Sequence, residues 1–316
     1  MKLLITGHTG FLGKRLCYKL DNIGIPYVGY DRKEYGSLTE DNLGWFFREN
    51  NDFSHIVHLA ARVGGIGANK KLPYNFIYDN LLMGLNLINK AVDFLYCDQD
   101  RIKFIMIGTV CSYPCNTPIP FKEESLWDGF PETINAPYGI AKKTLMEVLR
   151  AANEQCGLKS TVLNMANLYG PGDSNNLQTS HVIPAIFNKC KEILDWKKSW
   201  SESRWPFINL WGDGKATRDF LHVDDACDAI IKSLYLEQGP VNGINVGTGV
   251  ETSIESVAHK ILDIMSVPKE NIIWNTDMEN GQPRRVLDVS RAKELLNWES
   301  KISLDDGLRD LAKEYL

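Results

Sequence analysis

In the stretch Asn135-Ala136-Pro137-Tyr138-Gly139-Ile140-Ala141-Lys142-Lys143, a tyrosine and a lysine stand four residues apart just after a proline. Pro137 suits the first turn of a helix, so Tyr138 and Lys142 leave the same face. A phenol with a pKa of about 10 is a weak acid at neutral pH, but an ammonium beside it favours the phenolate and draws the group toward the working range. A tyrosine tuned in this way can protonate a carbonyl oxygen as hydride arrives on carbon. The same spacing occurs on ordinary amphipathic helices, so the reading depends on what the rest of the chain brings to that pair.

The elements that would position the pair alternate in type. Lys2 to Thr6 reads as a strand, and Phe11 to Leu20 as a helix, joined by Gly7, Gly10 and Gly13 at three-residue spacing. Such a turn lets backbone N–H groups approach a pyrophosphate at the helix start. A second strand, Tyr27 to Tyr30, ends in Asp31, about 20 residues on, where a dinucleotide fold places its ribose-binding acid. Ile56 to Leu59 reads as the third strand, and Ala60 and Ala61 after it are small enough for a cofactor to lie close. Phe76 to Phe94 carries Ile77, Leu81, Leu85, Ile88 and Val92 on one helical face. The fourth strand, Lys103 to Ile107, delivers Thr109 and Cys111 to its carboxyl end, the side on which open α/β sheets hold ligands. Thr109 can donate a hydrogen bond to a substrate carbonyl.

Tyr138 then opens a helix to about Cys156, and Ser160 to Asn164 forms a fifth strand. The alternation breaks beyond Asn167. Ile208 to Trp211 and Arg218 to Val223 read as short strands, Asp224 to Leu236 and Ile254 to Met265 as helices. Asp195 to Trp205 mixes three tryptophans with charges and reads as an amphipathic surface insertion of no assigned function. The expected fold is α/β, a Rossmann-like doubly wound parallel sheet with a smaller, interleaved C-terminal substrate domain. Residues 1–168 with about 217–240 would bind the dinucleotide, and about 169–216 with 241–316 the substrate.

With 316 residues, 44% of them hydrophobic, the chain can build a sizeable core. A net charge of −5 with dispersed Lys and Arg argues against nucleic-acid or anionic-membrane partners. The chain starts directly on a strand pattern with no signal peptide, and no apolar run reaches the length of a membrane span. Seven cysteines at irregular spacing fit a reducing compartment, so the expected location is cytoplasmic. Cys111 and Cys115 have no second pair at zinc-finger spacing, and no metal is assigned.

The glycine turn, Thr109, Tyr138 and Lys142 together resemble the extended short-chain dehydrogenases/reductases that act on nucleotide sugars. Longer blocks resemble the GDP-L-fucose synthase family: His58-Leu59-Ala60-Ala61, Val63-Gly64-Gly65-Ile66, Asn167-Leu168-Tyr169-Gly170-Pro171, Ser180-His181-Val182-Ile183-Pro184 and Phe220-Leu221-His222-Val223-Asp224-Asp225. The resemblance covers nearly the whole chain. It implies epimerisation of a GDP-4-keto-6-deoxy sugar at C3 and C5, followed by reduction at C4 with NADPH, in a homodimer paired through the Phe76 and Tyr138 helices. It implies Cys111 and His181 as the epimerising pair. A 4-keto group acidifies the hydrogens on C3 and C5, and thiol and imidazole ionise on either side of neutrality, which suits a base and an acid on opposite faces. It also places Lys142 and Asn167 on the cofactor, and Lys189, Trp211, Arg218 and Arg285 on the GDP-linked substrate, arginine because its guanidinium forks onto phosphate oxygens.

Two positions depart from that family. Thr109 stands where the family has serine and keeps the hydroxyl. Thr9 stands where it has arginine, and Asp31 would repel a 2′-phosphate, both favouring NAD(H), whereas Arg32 can pair with that phosphate and keeps NADP(H) open. Three other readings remain: a nucleotide-sugar 4-epimerase or 4,6-dehydratase, although Thr109-Val110-Cys111 lacks the acid pair of dehydratases; a GDP-hexose or GDP-heptose 4-ketoreductase with partial or no epimerisation; and a dinucleotide-sensing regulator, against which Tyr138 and Lys142 are both retained.

Overall fold

Short apolar runs and amphipathic stretches fold into a layered α/β structure in the computed structural model of the chain, which describes residues 1–96, 102–173, 181–199, 205–278 and 280–316. The first part runs β1 (Leu3–Thr6), α1 (Phe11–Ile23), β2 (Tyr27–Tyr30), α2 (Arg32–Tyr35), α3 (Glu40–Glu49), β3 (His55–His58), α4 (Ile66–Lys71), α5 (Pro73–Tyr96), β4 (Lys103–Thr109), α6 (Ala136–Cys156) and β5 (Lys159–Met165). The alternation then loosens into β6 (Asn167–Tyr169), α7 (Val182–Ser199), β7 (Ile208–Trp211), β8 (Thr217–Arg218), β9 (Phe220–His222), α8 (Val223–Ser233), β10 (Ile244–Val246), β11 (Thr252–Ser253), α9 (Ile254–Ile264), β12 (Ile272–Asn275), β13 (Arg284–Arg285), α10 (Ser290–Leu296) and α11 (Leu304–Ala312).

Six parallel strands form the main sheet in the order β10-β5-β4-β3-β1-β2. Leu3, Leu4, Ile5, Ile56, Val57, Phe104 and Ile105 have no exposed surface, as expected of strands covered by helices on both faces. Because β1 lies between β2 and β3, the chain leaves it in opposite directions, which opens a crevice beyond the carboxyl ends of β1 and β3. A second core joins α7, α9 and α11 through Ile183, Phe187, Ile261 and Leu308.

The long helix α5 turns Phe76, Asn80, Gly84, Leu87, Ile88 and Ala91 inward. Its other side leaves Tyr74, Tyr78, Leu82 and Leu85 exposed in a stripe, with the two tyrosine rings stacked at 5.3 Å.

Several details differ from what periodicity suggests. The main sheet crosses the expected boundary at about residue 240, because Ile244–Val246, wholly buried, pairs with β5 and covers an edge that would otherwise be open. Leu287, Ala292, Leu296 and Trp298 pack into the same core. Helix α8 stops at Ser233, short of Leu236: the buried Lys103 reaches from β4 and donates to the carbonyls of Ser233 at 2.7 Å and Leu234 at 3.3 Å, adding a cation to the carbonyl oxygens at the helix end. The run from Arg218 splits at Asp219, whose carboxylate accepts from the N–H groups of Thr248 and Gly249, so that β8 joins β11 and β13 while β9 joins β6. Of the tryptophan-rich stretch, residues 195–199 close α7, and 200–204 lie outside the described residues.

Candidate active site

Two regions meet at the carboxyl end of the sheet. The first is the turn between β1 and α1. Gly7 has φ +74°, and a Cβ at Gly13 would lie 2.1 Å from the Gly7 carbonyl oxygen, so only glycine lets helix and strand close this tightly. Gly10 begins α1 with no side-chain cap and no acidic residue in the first turn. The positive end of the helix dipole and its free N–H groups therefore remain available, an arrangement that fits a dinucleotide pyrophosphate. The backbone of Ala60, past β3, passes so near that a Cβ on Gly7 would meet its nitrogen at 2.7 Å. The exits of the two strands thus touch at the crevice, with Ala60 as one wall.

Asp31 and Arg32 lie at the far side of this region. Asp31 caps α2, accepting from the Lys33 N–H at 2.8 Å, and Arg32 beside it is exposed. The carboxylate thus has a local task besides any contact with a ribose. Replacing Asp31 with alanine is expected to move the ratio of kcat/KM values for NADPH over NADH upward by about tenfold, the worth of removing one unit of like-charge repulsion of about 1.4 kcal/mol. Steady-state kinetics with both cofactors checks this, and an unchanged ratio would show that the cap is all Asp31 does.

The second region gathers Thr109, Cys111, Tyr138 and Lys142. A Cβ on Gly139 would fall 2.2 Å from the carbonyl oxygen of Cys111, and the Gly139 carbonyl accepts from the Ser112 hydroxyl at 3.0 Å. This glycine, accepted in the first turns of α6 at a propensity cost of about 1 kcal/mol, lets the helix carrying Tyr138 press onto the loop carrying Cys111. Thr109 accepts at Oγ1 from the Cys111 N–H at 3.1 Å, which leaves its hydroxyl hydrogen free to donate. The Phe76 ring of α5 meets the Tyr138 ring edge-on, centroids 6.3 Å apart at 89°.

Electrostatics differ from the simple picture of a lysine drawing a tyrosine down. Burial pushes the Tyr138 phenol up, with a further push from the neighbouring Cys111, and burial lowers Lys142 to about 8. Desolvation disfavours the charged form of each group. Tyr138 therefore keeps its proton, the state a general acid needs. Behind Lys142, His58 is buried and held far below the usual imidazole range, at about 3, by burial and by the lysine charge; its Nδ1 pairs with Thr6 Oγ1 at 2.8 Å.

Two buried arginines complete the cluster. Arg218 and Arg285 stand side by side in the parallel pair β8–β13. Arg218 donates from Nη1 to the carbonyls of Thr217 and Gln282, both at 2.7 Å, and burial followed by the charge of Arg285 lowers it to about 10. Arg285 lies with Nη1 3.4 Å from the sulfur of Cys111. Trp211, half exposed, lies over Gly67 of α4, where a Cβ would meet the indole at 3.3 Å. Asn167 donates from Nδ2 to the Asp219 carbonyl at 3.2 Å, next to the strand that carries Arg218.

His181 and Lys189 stand apart from this cluster. His181 is exposed just before α7, where its carbonyl accepts from the Ala185 N–H at 3.1 Å, and among the described residues no contact joins it to Cys111. Lys189 donates to the Asn209 carbonyl. Residues that sequence reasoning passed over include Gly139, Phe76, Glu132 and Gln282. Glu132 accepts from the Asn135 backbone and side chain three residues on, an acid-to-Asn spacing before Pro137 that could have marked it.

Comparison with known proteins gives a consistent set. Residues 3–247 match the NAD dependent epimerase/dehydratase family. The chain is 32% identical to a GDP-L-fucose synthase of Escherichia coli (strain K12), the match covering 100% of this chain and 96% of that protein. Among solved structures it resembles a GDP-6-OMe-4-keto-L-xylo-heptose reductase from C. jejuni, with a TM-score of 0.87 and 25% identity, covering 99% of this chain and 97% of the other. It also resembles a GDP-mannoheptose C4 reductase from Campylobacter jejuni with NADP bound, with a TM-score of 0.84 and 27% identity over 99% of this chain and 98% of that one.

Proposed function

This chain belongs to the NAD dependent epimerase/dehydratase family, and we propose that it is an NADPH-dependent epimerase/reductase of a GDP-linked 4-keto-6-deoxy sugar, inverting C3 and C5 and then reducing C4 to give GDP-L-fucose. The observation that carries this reading is the meeting of a tyrosine–lysine pair with a cysteine thiol and two buried arginines in one site. A reductase alone needs the first pair, and an epimerase needs a proton-transfer group that the cysteine supplies.

The residues divide the work. The glycine turn and Ala60 hold the dinucleotide, and Lys142 and Asn167 face its sugar end. The thiolate of Cys111 removes a proton from the carbon beside the ketone, and the electron pair moves onto the carbonyl oxygen, to which the Thr109 and Tyr138 hydroxyls donate. His181 returns a proton to the opposite face. Bound NADPH supplies hydride to C4. Tyr138 gives its proton to the C4 oxygen, and Lys142 favours the phenolate left behind. Arg218 and Arg285 place two buried positive charges beside the site with Glu132 as the carboxylate between them, a net positive charge that suits a diphosphate. Trp211 offers an exposed ring for guanine, and Lys189 a further cation.

The test is to incubate the protein with GDP-4-keto-6-deoxy-D-mannose and NADPH or NADH and to determine product stereochemistry by NMR. The reading expects the doubly inverted, reduced sugar. Reduction at C4 of a GDP-linked keto-sugar without inversion is the second reading, supported by the likeness to the two heptose reductases; a product with unchanged C3 and C5 selects it, and no turnover sinks both.

The reading extends to a cytoplasmic homodimer in which the exposed stripe Tyr74, Tyr78, Leu82 and Leu85 of α5 pairs with its copy beside α6. Light scattering at micromolar concentration is expected to give twice the monomer mass. Tyr78→Glu, which places charge in that stripe, is expected to lower it to the monomer value; a wild-type monomer would remove the idea.

A further inference from the structure

We propose that Glu132, Gln282 and Arg285 form a positioning unit that holds the sulfur of Cys111 as a thiolate, so that Arg285 serves the epimerising base and not the diphosphate alone. The inference rests on the epimerase reading above and adds to it how the base is made ready.

Each nitrogen of the Arg285 guanidinium has a separate neighbour. Nε donates to Gln282 Oε1 at 2.7 Å, Nη1 lies 3.4 Å from Cys111 Sγ, and Nη2 is 3.7 Å from Glu132 Oε2. The two supporting side chains are themselves fixed. Gln282 donates from Nε2 to the Cys115 carbonyl at 3.0 Å, which orients its amide so that the oxygen faces Arg285 and ties the arginine to the loop that carries the cysteine. Glu132 accepts from the Ile134 N–H at 3.0 Å and from Asn135 Nδ2 at 2.6 Å, so its carboxylate is anchored at the entrance to α6. Arg285 is only 5% exposed and Gln282 7%, so the guanidinium has few other orientations open to it.

Charge balance points the same way. The groups that face Cys111 are Arg285 from β13, Arg218 from β8 and Tyr138 from α6, with Glu132 just before that helix. Two guanidiniums share one carboxylate, and Arg218 spends its hydrogen bonds on carbonyl oxygens. Buried positive charge in excess is costly until an anion joins it, and a thiolate at Cys111 is the nearest candidate. In the reaction the S–H bond forms as the C–H bond breaks, the carbon–hydrogen pair shifts into the carbon–carbon bond, and the carbonyl pair moves onto oxygen. The thiol then releases its proton to solvent, and Arg285 stabilises the anion restored. A lysine would supply the charge but not three divergent donors.

The test reads the sulfur directly. The full chain and the variants Arg285→Gln, Arg285→Lys and Glu132→Gln are treated with iodoacetamide across neutral and alkaline pH, without substrate or cofactor, and alkylation is followed peptide by peptide. Arg285→Gln is expected to slow Cys111 by about tenfold at neutral pH, the gap closing as pH rises. Glu132→Gln removes the carboxylate that competes with the sulfur for the guanidinium, so it should leave Cys111 as fast or faster, and Arg285→Lys should recover part of the rate lost in Arg285→Gln. The buried Cys190 and Cys227 serve as internal controls, because a merely loosened fold would expose them and speed Cys111, not slow it. If Arg285→Gln and Arg285→Lys both leave the alkylation profile of Cys111 unchanged, or speed it together with the buried cysteines, the proposal is overturned. Since no substrate is present, a wild type that alkylates as expected yet turns over no GDP-linked keto-sugar would sink the functional reading and leave the positioning unit standing.

Discussion

Tyr138→Phe is expected to bind reduced cofactor normally and to slow C4 reduction by about 10² to 10⁴, the usual worth of a positioned general acid. The substitution removes one oxygen and leaves the ring that Phe76 packs against edge-on, so the helix and the cofactor crevice should survive intact. The loss should appear in kcat with little change in KM, since the hydroxyl acts most strongly where charge develops on the C4 oxygen. It should persist across the pH range, because burial keeps the wild-type phenol protonated well into the alkaline region. Fluorescence titration with NADPH and single-turnover kinetics separate binding from chemistry. Turnover near the wild-type rate would remove Tyr138 from the mechanism.

Cys111→Ala should separate the two halves of the reaction. Epimerisation requires proton removal beside the ketone, whereas reduction uses Tyr138, Lys142 and Thr109. The variant is therefore expected to lose incorporation of solvent deuterium at C3 and C5 by about 10² or more while still oxidising NADPH, giving a sugar reduced at C4 without inversion. His181→Ala should impair inversion less, because water can replace a missing acid on an exposed face. Products formed in heavy water are compared by mass and NMR. A doubly deuterated, inverted product formed by Cys111→Ala at the wild-type rate would reduce that cysteine to packing and withdraw the main mechanistic support for the epimerase reading.

What the sequence disclosed follows from the range of the interactions. The glycine turn and the spacing of Tyr138 and Lys142 are local patterns, set by one strand or one helix, and each is found where its spacing puts it. The apolar face read on α5 is instead rotated: Ile88 points inward as expected, but Leu85 is exposed, and Phe76, Asn80, Gly84, Leu87 and Ala91 are buried where α5 packs on its neighbours. The wiring of Arg285 is not local. Its partners Cys111 and Glu132 are more than a hundred residues away along the chain, and no periodicity links β13 to the loop after β4. The direction in which Tyr138 shifts was equally hidden, because proximity to a lysine is visible in the spacing but the depth of burial around both groups is not. The end of α8 depended on Lys103 in a distant strand, and the role of Asp31 as a cap emerged only with the conformation of the turn it starts.

The place of β10 has a consequence for how the chain is made. The strand that completes the main sheet is drawn from residues 244–246, and Leu287 and Trp298 fill the core beneath the same sheet. On a ribosome the edge of β5 therefore stays unpaired while the helices and loops that precede residue 244 are still being added. Contacts so far apart along the chain slow folding, and an apolar strand edge exposed in the interval invites association with other nascent chains. Synthesis in the cell should accordingly depend on chaperones more than the stability of the finished protein would suggest, and a cut anywhere before residue 244 should leave the N-terminal fragment unable to close its own sheet.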